Sequence, residues 1–187
     1  MTDSVSTQKT PRTGWLLAGA VLVGAAVSLA LGVYGREHQP TFQSSWTLGF
    51  SSQIDMKVWL ATAVGVLALV QLVTALRMFG RIGTGRPPSW VTWTHRISGS
   101  VAVLLTLPVV YHCLWSLGFQ TYSTRVYIHS IAGCLFYGAF VAKMLTLHIR
   151  KAPNWALPVL GGLTFTLVAV VVLTSAGGWF ANGQPTY

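Results

Sequence analysis

The chain has 187 residues, of which 52% are hydrophobic and only 8% are charged, and its formal net charge is +9. Soluble domains carry about 25% charged residues, so this composition excludes an ordinary soluble protein and indicates an integral membrane protein. The basic residues cluster at the ends of apolar runs, which is typical of membrane orientation and argues against a nucleic-acid partner.

A polar segment rich in Ser and Thr, residues 1–13, comes first, and we predict that it is disordered. Five apolar runs follow, at about 14–34, 56–79, 90–117, 125–149 and 157–179, and a short tail covers 180–187. Each run can cross about 30 Å of hydrocarbon as a helix, the only form that satisfies the backbone of a single segment in lipid. The sequence therefore predicts an all-α integral membrane protein, a five-transmembrane-helix bundle.

The first run resembles a signal peptide in one respect, because Lys9 and Arg12 precede it. Its apolar stretch is longer than the about 7–15 residues of a signal-peptide core, and "SLALGVYG" is a poor cleavage site. We interpret this run as an uncleaved membrane anchor.

The Lys and Arg residues divide unequally between the two predicted sides of the membrane. Only Arg36, Lys57 and Arg125 fall on one side, whereas the other holds Lys9, Arg12, Arg77, Arg81, Arg86, Arg96, Lys143, Arg150 and Lys151. Because positive residues favour the cytoplasmic side, we predict a cytoplasmic N-terminus and a C-terminus outside the cell. The expected location is the bacterial plasma membrane, which the chain crosses several times in contact with lipid.

Two related stretches, "THRISGS" and "YIHSIAGC", each place a histidine four residues before a glycine. The third span carries His95 near its inner end and His112 near its outer end, and the fourth carries His129 outside and His148 inside. The spacings place the two levels about 25–28 Å apart at 1.5 Å per residue. We therefore predict two pairs, His95 with His148 and His112 with His129.

A pair of histidines suits haem better than a bare metal ion. A structural zinc site takes four ligands, whereas haem asks the protein for only one or two axial ligands. Gly99 and Gly133 lie one helical turn after His95 and His129 on the same face, where a side chain would obstruct a porphyrin. A glycine at a close helix contact and a histidine at the membrane interface are the plainer alternatives. Four histidines paired by level favour haem, with the third and fourth spans as antiparallel neighbours.

The haem carboxylates need cations. Arg77, Arg81 and Arg96 are candidates on the inner side, and Arg125 and Lys57 on the outer side. We interpret His38, in the longest connection, as a solvated loop residue. Cys113 and Cys134 are predicted to be small core residues, with a disulfide between them as the alternative.

Two haem levels spanned by histidine pairs, with "HRISG" on one helix, resemble the membrane b-type cytochromes. These include cytochrome b561-like proteins, the ferric reductase transmembrane domain and the cytochrome b of quinol-oxidising complexes. The resemblance covers about 90–151, and in the latter two groups two helices each give two histidines. The histidine spacing here is wider than those families typically use. The chain also resembles a small actinobacterial membrane family of unknown function, expected to operate beside an iron–sulfur partner.

The expected function is transmembrane electron transfer through two non-covalent b haems, with iron held by His95, His148, His112 and His129. A quinone is an expected partner next to either haem. The alternative is a non-haem membrane scaffold or assembly subunit of a larger complex. A transporter is disfavoured, because the first, second and fifth spans lack buried charges and no pair of broken helices is present.

Overall fold

The computed structural model describes residues 11–43 and 46–182, and every regular element in this part of the chain is helical. In chain order the elements are α1 (Pro11–Glu37), α2 (Gln53–Met78), α3 (Ser89–Tyr111), π1 (His112–Leu117), α4 (Thr124–Leu147), α5 (Ala156–Val172), π2 (Leu173–Gly177) and α6 (Gly178–Asn182). They form five rods long and apolar enough to cross a membrane, which confirms the predicted fold class. The side on which each terminus lies stays a prediction, and residues 1–10 and 183–187 lie outside the described residues.

Local signals in the sequence account for the helix starts. α1 begins at Pro11 rather than Gly14, because proline is favoured in a first turn, where its missing N–H costs no bond. α2 is capped by Ser52, whose Oγ accepts a hydrogen bond from the Asp55 N–H at 3.0 Å. Ser123 caps α4 in the same way, accepting from the Val126 N–H at 3.3 Å. The remaining helix ends lie within a few residues of the predicted spans.

The five rods pack in the order α3, α2, α5, α4, α1, and α1 returns to contact π1. The expectation that α3 and α4 are packed neighbours is wrong. α3 makes its main helix contact with α2, whereas α4 packs between α1 and α5. The two helices that carry the membrane histidines therefore face each other across the interior of the bundle.

Small residues allow α4 to pack closely against α1, on the side of α4 that faces away from α3. Gly24 and Gly138 approach so closely that a Cβ on either would strike the carbonyl oxygen of the other. Ser28 of α1 occupies the space beside Gly138. Small side chains let membrane helices approach closely and gain van der Waals contact, which drives association where no hydrophobic effect operates between helices.

A layer of large apolar side chains crosses the middle of the bundle. Val64 and Ala68 of α2, Phe136 of α4 and Val168 of α5 are buried together, and Leu105 and Tyr137 pack against them. The Tyr137 hydroxyl donates a hydrogen bond to the Thr106 carbonyl oxygen at 3.2 Å, which joins α4 to α3. We call this group the central layer.

The central layer separates two ends of the bundle. The loop end is the one covered by the connection between α1 and α2, where the Phe42 N–H donates to the Ser116 carbonyl of π1 at 3.0 Å. The turn end holds the connection between α2 and α3. Both π-helical segments lie at the loop end, and such wide turns occur frequently at functional sites.

Candidate cofactor site

A cavity of about 520 Å³ lies between the helices at the loop end. Residues from all five rods line it, among them Leu31 of α1, Lys57 of α2, Val110 of α3, His129 of α4 and Thr174 of π2. An apolar cavity with a few convergent polar groups is the usual form of a small-molecule or cofactor site. The cavity therefore makes the loop end the stronger candidate of the two ends.

His129 lines this cavity, and its ring is held by the neighbouring helix. Its Nδ1 lies 3.0 Å from Thr174 Oγ1, and Thr174 directs its own hydroxyl hydrogen to the Val170 carbonyl at 2.6 Å. We assign the single hydroxyl hydrogen to this shorter contact, so that the Thr174 oxygen accepts from His129 and Nδ1 carries the proton. Nε2 is left to act as acceptor or metal ligand. A Cβ added at Gly133, one turn further on, would meet nothing within 4 Å.

His112 also lies at the loop end, but it is fully buried and is not part of the cavity lining. Its Nδ1 lies 2.9 Å from the Pro108 carbonyl oxygen, which can only accept, so this nitrogen is the protonated one. Its Nε2 is buried and has no hydrogen-bond partner. The ring packs edge-on against Trp46, with centroids 4.7 Å apart. A buried polar atom without a partner is unusual and indicates a ligand or a functional role.

At the turn end, His95 is held in the same way as His129. Its Nδ1 lies 2.8 Å from Thr74 Oγ1, and Thr74 donates to the Val70 carbonyl at 2.7 Å. His95 Nδ1 is therefore protonated, and Nε2 is available. Gln71 also donates through Nε2 to the His95 carbonyl oxygen and, at 2.7 Å, to Ser98 Oγ. These bonds fasten the start of α3 to α2.

The two glycines of the related stretches have different surroundings. A Cβ at Gly99 would lie 3.0 Å from Oε1 and 3.2 Å from Nε2 of Gln71. The absence of a side chain at Gly99 therefore makes room for Gln71, and this glycine has a packing role independent of any cofactor. The space beside Gly133 is open.

His148 follows α4 at the turn end, and its side chain is exposed. Its Nδ1 lies 2.9 Å from the Met144 carbonyl oxygen, so Nδ1 is again protonated and Nε2 is available. Among the described residues, no hydrogen bond or ring contact joins His95 to His148, or His112 to His129. The predicted pairing of these residues stays a prediction.

The predicted cations have different roles. Arg77 donates to the Gly85 and Thr84 carbonyl oxygens, at 3.1 and 2.8 Å, and so holds the turn between α2 and α3. Arg96 is exposed. Arg125 lines the loop-end cavity and donates through a guanidinium nitrogen to the Thr174 carbonyl oxygen.

Two lysines, one at each end of the bundle, act electrostatically on a histidine. Lys57 lines the cavity, and it acts electrostatically on His129, as Arg125 does. At the turn end, Lys143 of α4 lies within electrostatic range of His95 on α3. Each end of the bundle therefore brings a lysine close to one membrane histidine.

The expectation that His38 is solvated is wrong. Its ring stacks between Tyr34 and Trp115, with centroids 5.1 and 4.6 Å away, and its Nε2 is buried without a hydrogen-bond partner. The cause is the connection between α1 and α2, which folds against π1. Cys113 and Cys134 are free thiols, and both line the cavity.

The predicted metal ligands are single imidazoles and not a larger cluster of donors. Residues 11–43 and 46–182 contain no group of three or more His, Cys, Asp or Glu side chains able to hold a metal ion by themselves. Haem supplies four nitrogens to its iron and needs only axial imidazoles in addition. Predicted iron binding therefore depends on a porphyrin and stays a prediction.

Three polar residues of the site were not identified from the sequence: Thr74, Gln71 and Thr174. A threonine inside an apolar helix usually bonds its own backbone, as Thr74 and Thr174 also do, so neither stands out. Gln71 could have been identified from the sequence, because an amide within a long apolar run requires a hydrogen-bond partner.

A model of the DUF6529 family, a family of unknown function, matches residues 17–186. The match covers most of the chain, and the protein belongs to this family. No curated protein and no solved structure matches the chain.

Proposed function

We propose that this member of the DUF6529 family is a membrane electron-transfer protein that holds two b haems through His95, His148, His112 and His129. One observation carries the proposal. Each of the four histidines bonds an acceptor through Nδ1 and leaves Nε2 without a partner among the described residues. This is the tautomer in which a neutral imidazole coordinates a metal through Nε2.

The shared arrangement of the four histidine rings is unlike what chance would produce. A histidine in a membrane helix is costly and marks a functional site by default. His112 also buries Nε2 without a hydrogen-bond partner, which is unusual for a polar atom. Imidazole suits iron, and the described residues provide no further donors for a bare ion.

Several residues of the loop end support a haem site there, although His112 lies outside the cavity lining. His129 faces a cavity of about 520 Å³, and the space beside Gly133 is open. Arg125 and Lys57 line the same cavity and would neutralise the haem carboxylates. At the turn end, His95 and His148 would be the ligands, with Lys143 and Arg96 as the cations.

When bound, haem supplies reversible one-electron chemistry. The protein would supply imidazole nitrogens from the four histidines, cationic anchors and an apolar interior. In this proposal electrons pass between the two faces of a bacterial plasma membrane and are exchanged with a quinone or a redox protein, such as an iron–sulfur protein.

The decisive experiment is a reduced-minus-oxidised absorbance spectrum of the protein purified in detergent after expression with ample haem. We expect a b-type band and two haems per chain. A colourless, folded protein would overturn the proposal and favour a scaffold or assembly subunit.

Single substitutions then test the assignment of ligands. His112→Gln and His148→Gln should each remove about half of the haem, because each breaks one of two sites. His38→Gln is the matched control, because His38 also buries its Nε2 but lies outside the membrane helices. Equal haem loss in the control, or no loss in both test variants, would contradict the assignment.

A further inference from the structure

Each proposed histidine pair contains one ring fastened to a neighbouring helix and one fastened to its own helix. His95 and His129 bond Thr74 of α2 and Thr174 of π2, whereas His112 and His148 bond carbonyl oxygens four residues back. The same division occurs at both ends of the bundle, although the two threonines lie on different helices.

We assign the threonine oxygen as the acceptor from the imidazole, because its shortest contact is with a carbonyl oxygen that can only accept. Thr174 commits its hydrogen to the Val170 carbonyl at 2.6 Å, and Thr74 commits its hydrogen to the Val70 carbonyl at 2.7 Å. With that hydrogen on the carbonyl contact, the threonine oxygen accepts from Nδ1, and the proton of the imidazole is assigned to Nδ1. Valine has the same shape and no oxygen, so it would remove this acceptor and leave only the backbone carbonyls of Val171 and Gln71 to bond the rings of His129 and His95.

We infer that Thr74 and Thr174 are positioning residues that fix the tautomer and the ring orientation of His95 and His129, so that Nε2 is presented to the interior of the bundle. The effect on the ring follows from contacts present in the protein alone. Its consequence for haem rests on the proposed function.

The hydrogen bond also affects the ligand electronically. An Nδ1–H that donates to an oxygen makes Nε2 a stronger donor, and partners of this kind typically change metal affinity by about 10- to 100-fold when lost. A stronger axial donor favours ferric over ferrous iron, so loss of the threonine oxygen should raise the midpoint potential of the haem bound there.

The first test uses the protein without added haem. In ¹⁵N-histidine-labelled protein in detergent, the ring nitrogen shifts report the tautomer of each histidine, with assignments made from single His→Gln variants. We expect Thr174→Val to change the tautomer ratio of His129 by about 2- to 10-fold, the value of one ordinary hydrogen bond. Thr174→Ser should keep the wild-type ratio.

Thr164→Val is the matched control, because Thr164 lies on α5, is buried, and donates to the Leu160 carbonyl at 2.7 Å without a histidine partner. Thr74→Val makes the same prediction for His95 and replaces Thr174→Val should that variant fail to fold. An unchanged tautomer ratio in the folded valine variant would overturn the inference.

The second test uses haem-loaded protein. Thr174→Val should weaken retention of one haem by about 10- to 100-fold and raise its midpoint potential, while the other haem keeps its potential. Thr174→Ser should restore both properties. If the tautomer changes as expected but no variant binds haem, the proposed function fails and the role of the threonines stands; if haem binds and the potential does not respond, the electronic role is wrong.

Discussion

The two related stretches, "THRISGS" at the turn end and "YIHSIAGC" at the loop end, carry the same histidine and glycine in different surroundings. In both, a threonine of the adjacent helix holds Nδ1 of the histidine. The glycines differ, because Gly99 makes room for Gln71, whereas the space beside Gly133 is open. The neighbouring helices therefore hold the two histidines alike but give the two glycines different surroundings.

The largest expected difference between the stretches concerns Gly133. Gly133→Leu would place a side chain in the open space beside His129, so we expect loss of the loop-end haem, about half of the total, with the fold intact. Haem content and the unfolding midpoint of the same sample measure the two effects. Full haem retention in the folded variant would mean that the space beside Gly133 does not receive the cofactor.

Gly99→Ala should instead affect stability. The added Cβ would push the Gln71 amide by a few tenths of an ångström and weaken its bonds to the His95 carbonyl and Ser98, which we expect to lower the free energy of unfolding by about 1 kcal/mol. Reversible unfolding in mixed detergent measures this change. Gly133→Ala is the matched control. An equal loss of stability in both variants would show that the contact with Gln71 does not distinguish Gly99 from Gly133.

A double-mutant cycle tests whether the effect of Gly99→Ala depends on the Gln71 side chain. If Gln71 is the obstacle, Gly99→Ala should cost less in a Gln71→Ala background, with a coupling free energy of at least about 0.5 kcal/mol. Additive effects would show that the glycine and the amide act independently.

The smallest expected effect concerns the lysines. In a His148→Gln background only the loop-end haem remains, and there Lys57→Met should weaken its retention by about two- to fivefold, because one carboxylate contact is lost. Lys143→Met in the same background should have no effect. The rate of haem transfer to apomyoglobin measures retention, and equal rates would contradict the assignment of Lys57 to the loop end.

Much of the fold could be predicted from the sequence, because apolar length alone determines a membrane span. The arrangement of α3 and α4 could not, because it depends on which faces of the helices meet. Gly24 and Gly138 draw α4 to α1, and nothing in their immediate sequence distinguishes them from other glycines of the apolar runs.

The candidate site was predictable to a similar extent. The four histidines could be identified because ionisable rings stand out in apolar helices. Thr74 and Thr174 could not, because their hydroxyls make ordinary backbone bonds as well. The burial of His38 could not be predicted, because burial of a connection depends on tertiary contacts, here the stacking on Tyr34 and Trp115.

The central layer has a consequence for the membrane potential. Tyr137 belongs both to this layer and to the cavity wall, so the cavity ends where side chains from α2, α3, α4 and α5 close together. Each elementary charge that crosses a membrane held at 100 mV releases about 2.3 kcal/mol. In a membrane, the apolar side chains of Leu105, Phe136 and Val168 would oppose the passage of ions along the axis beyond the cavity.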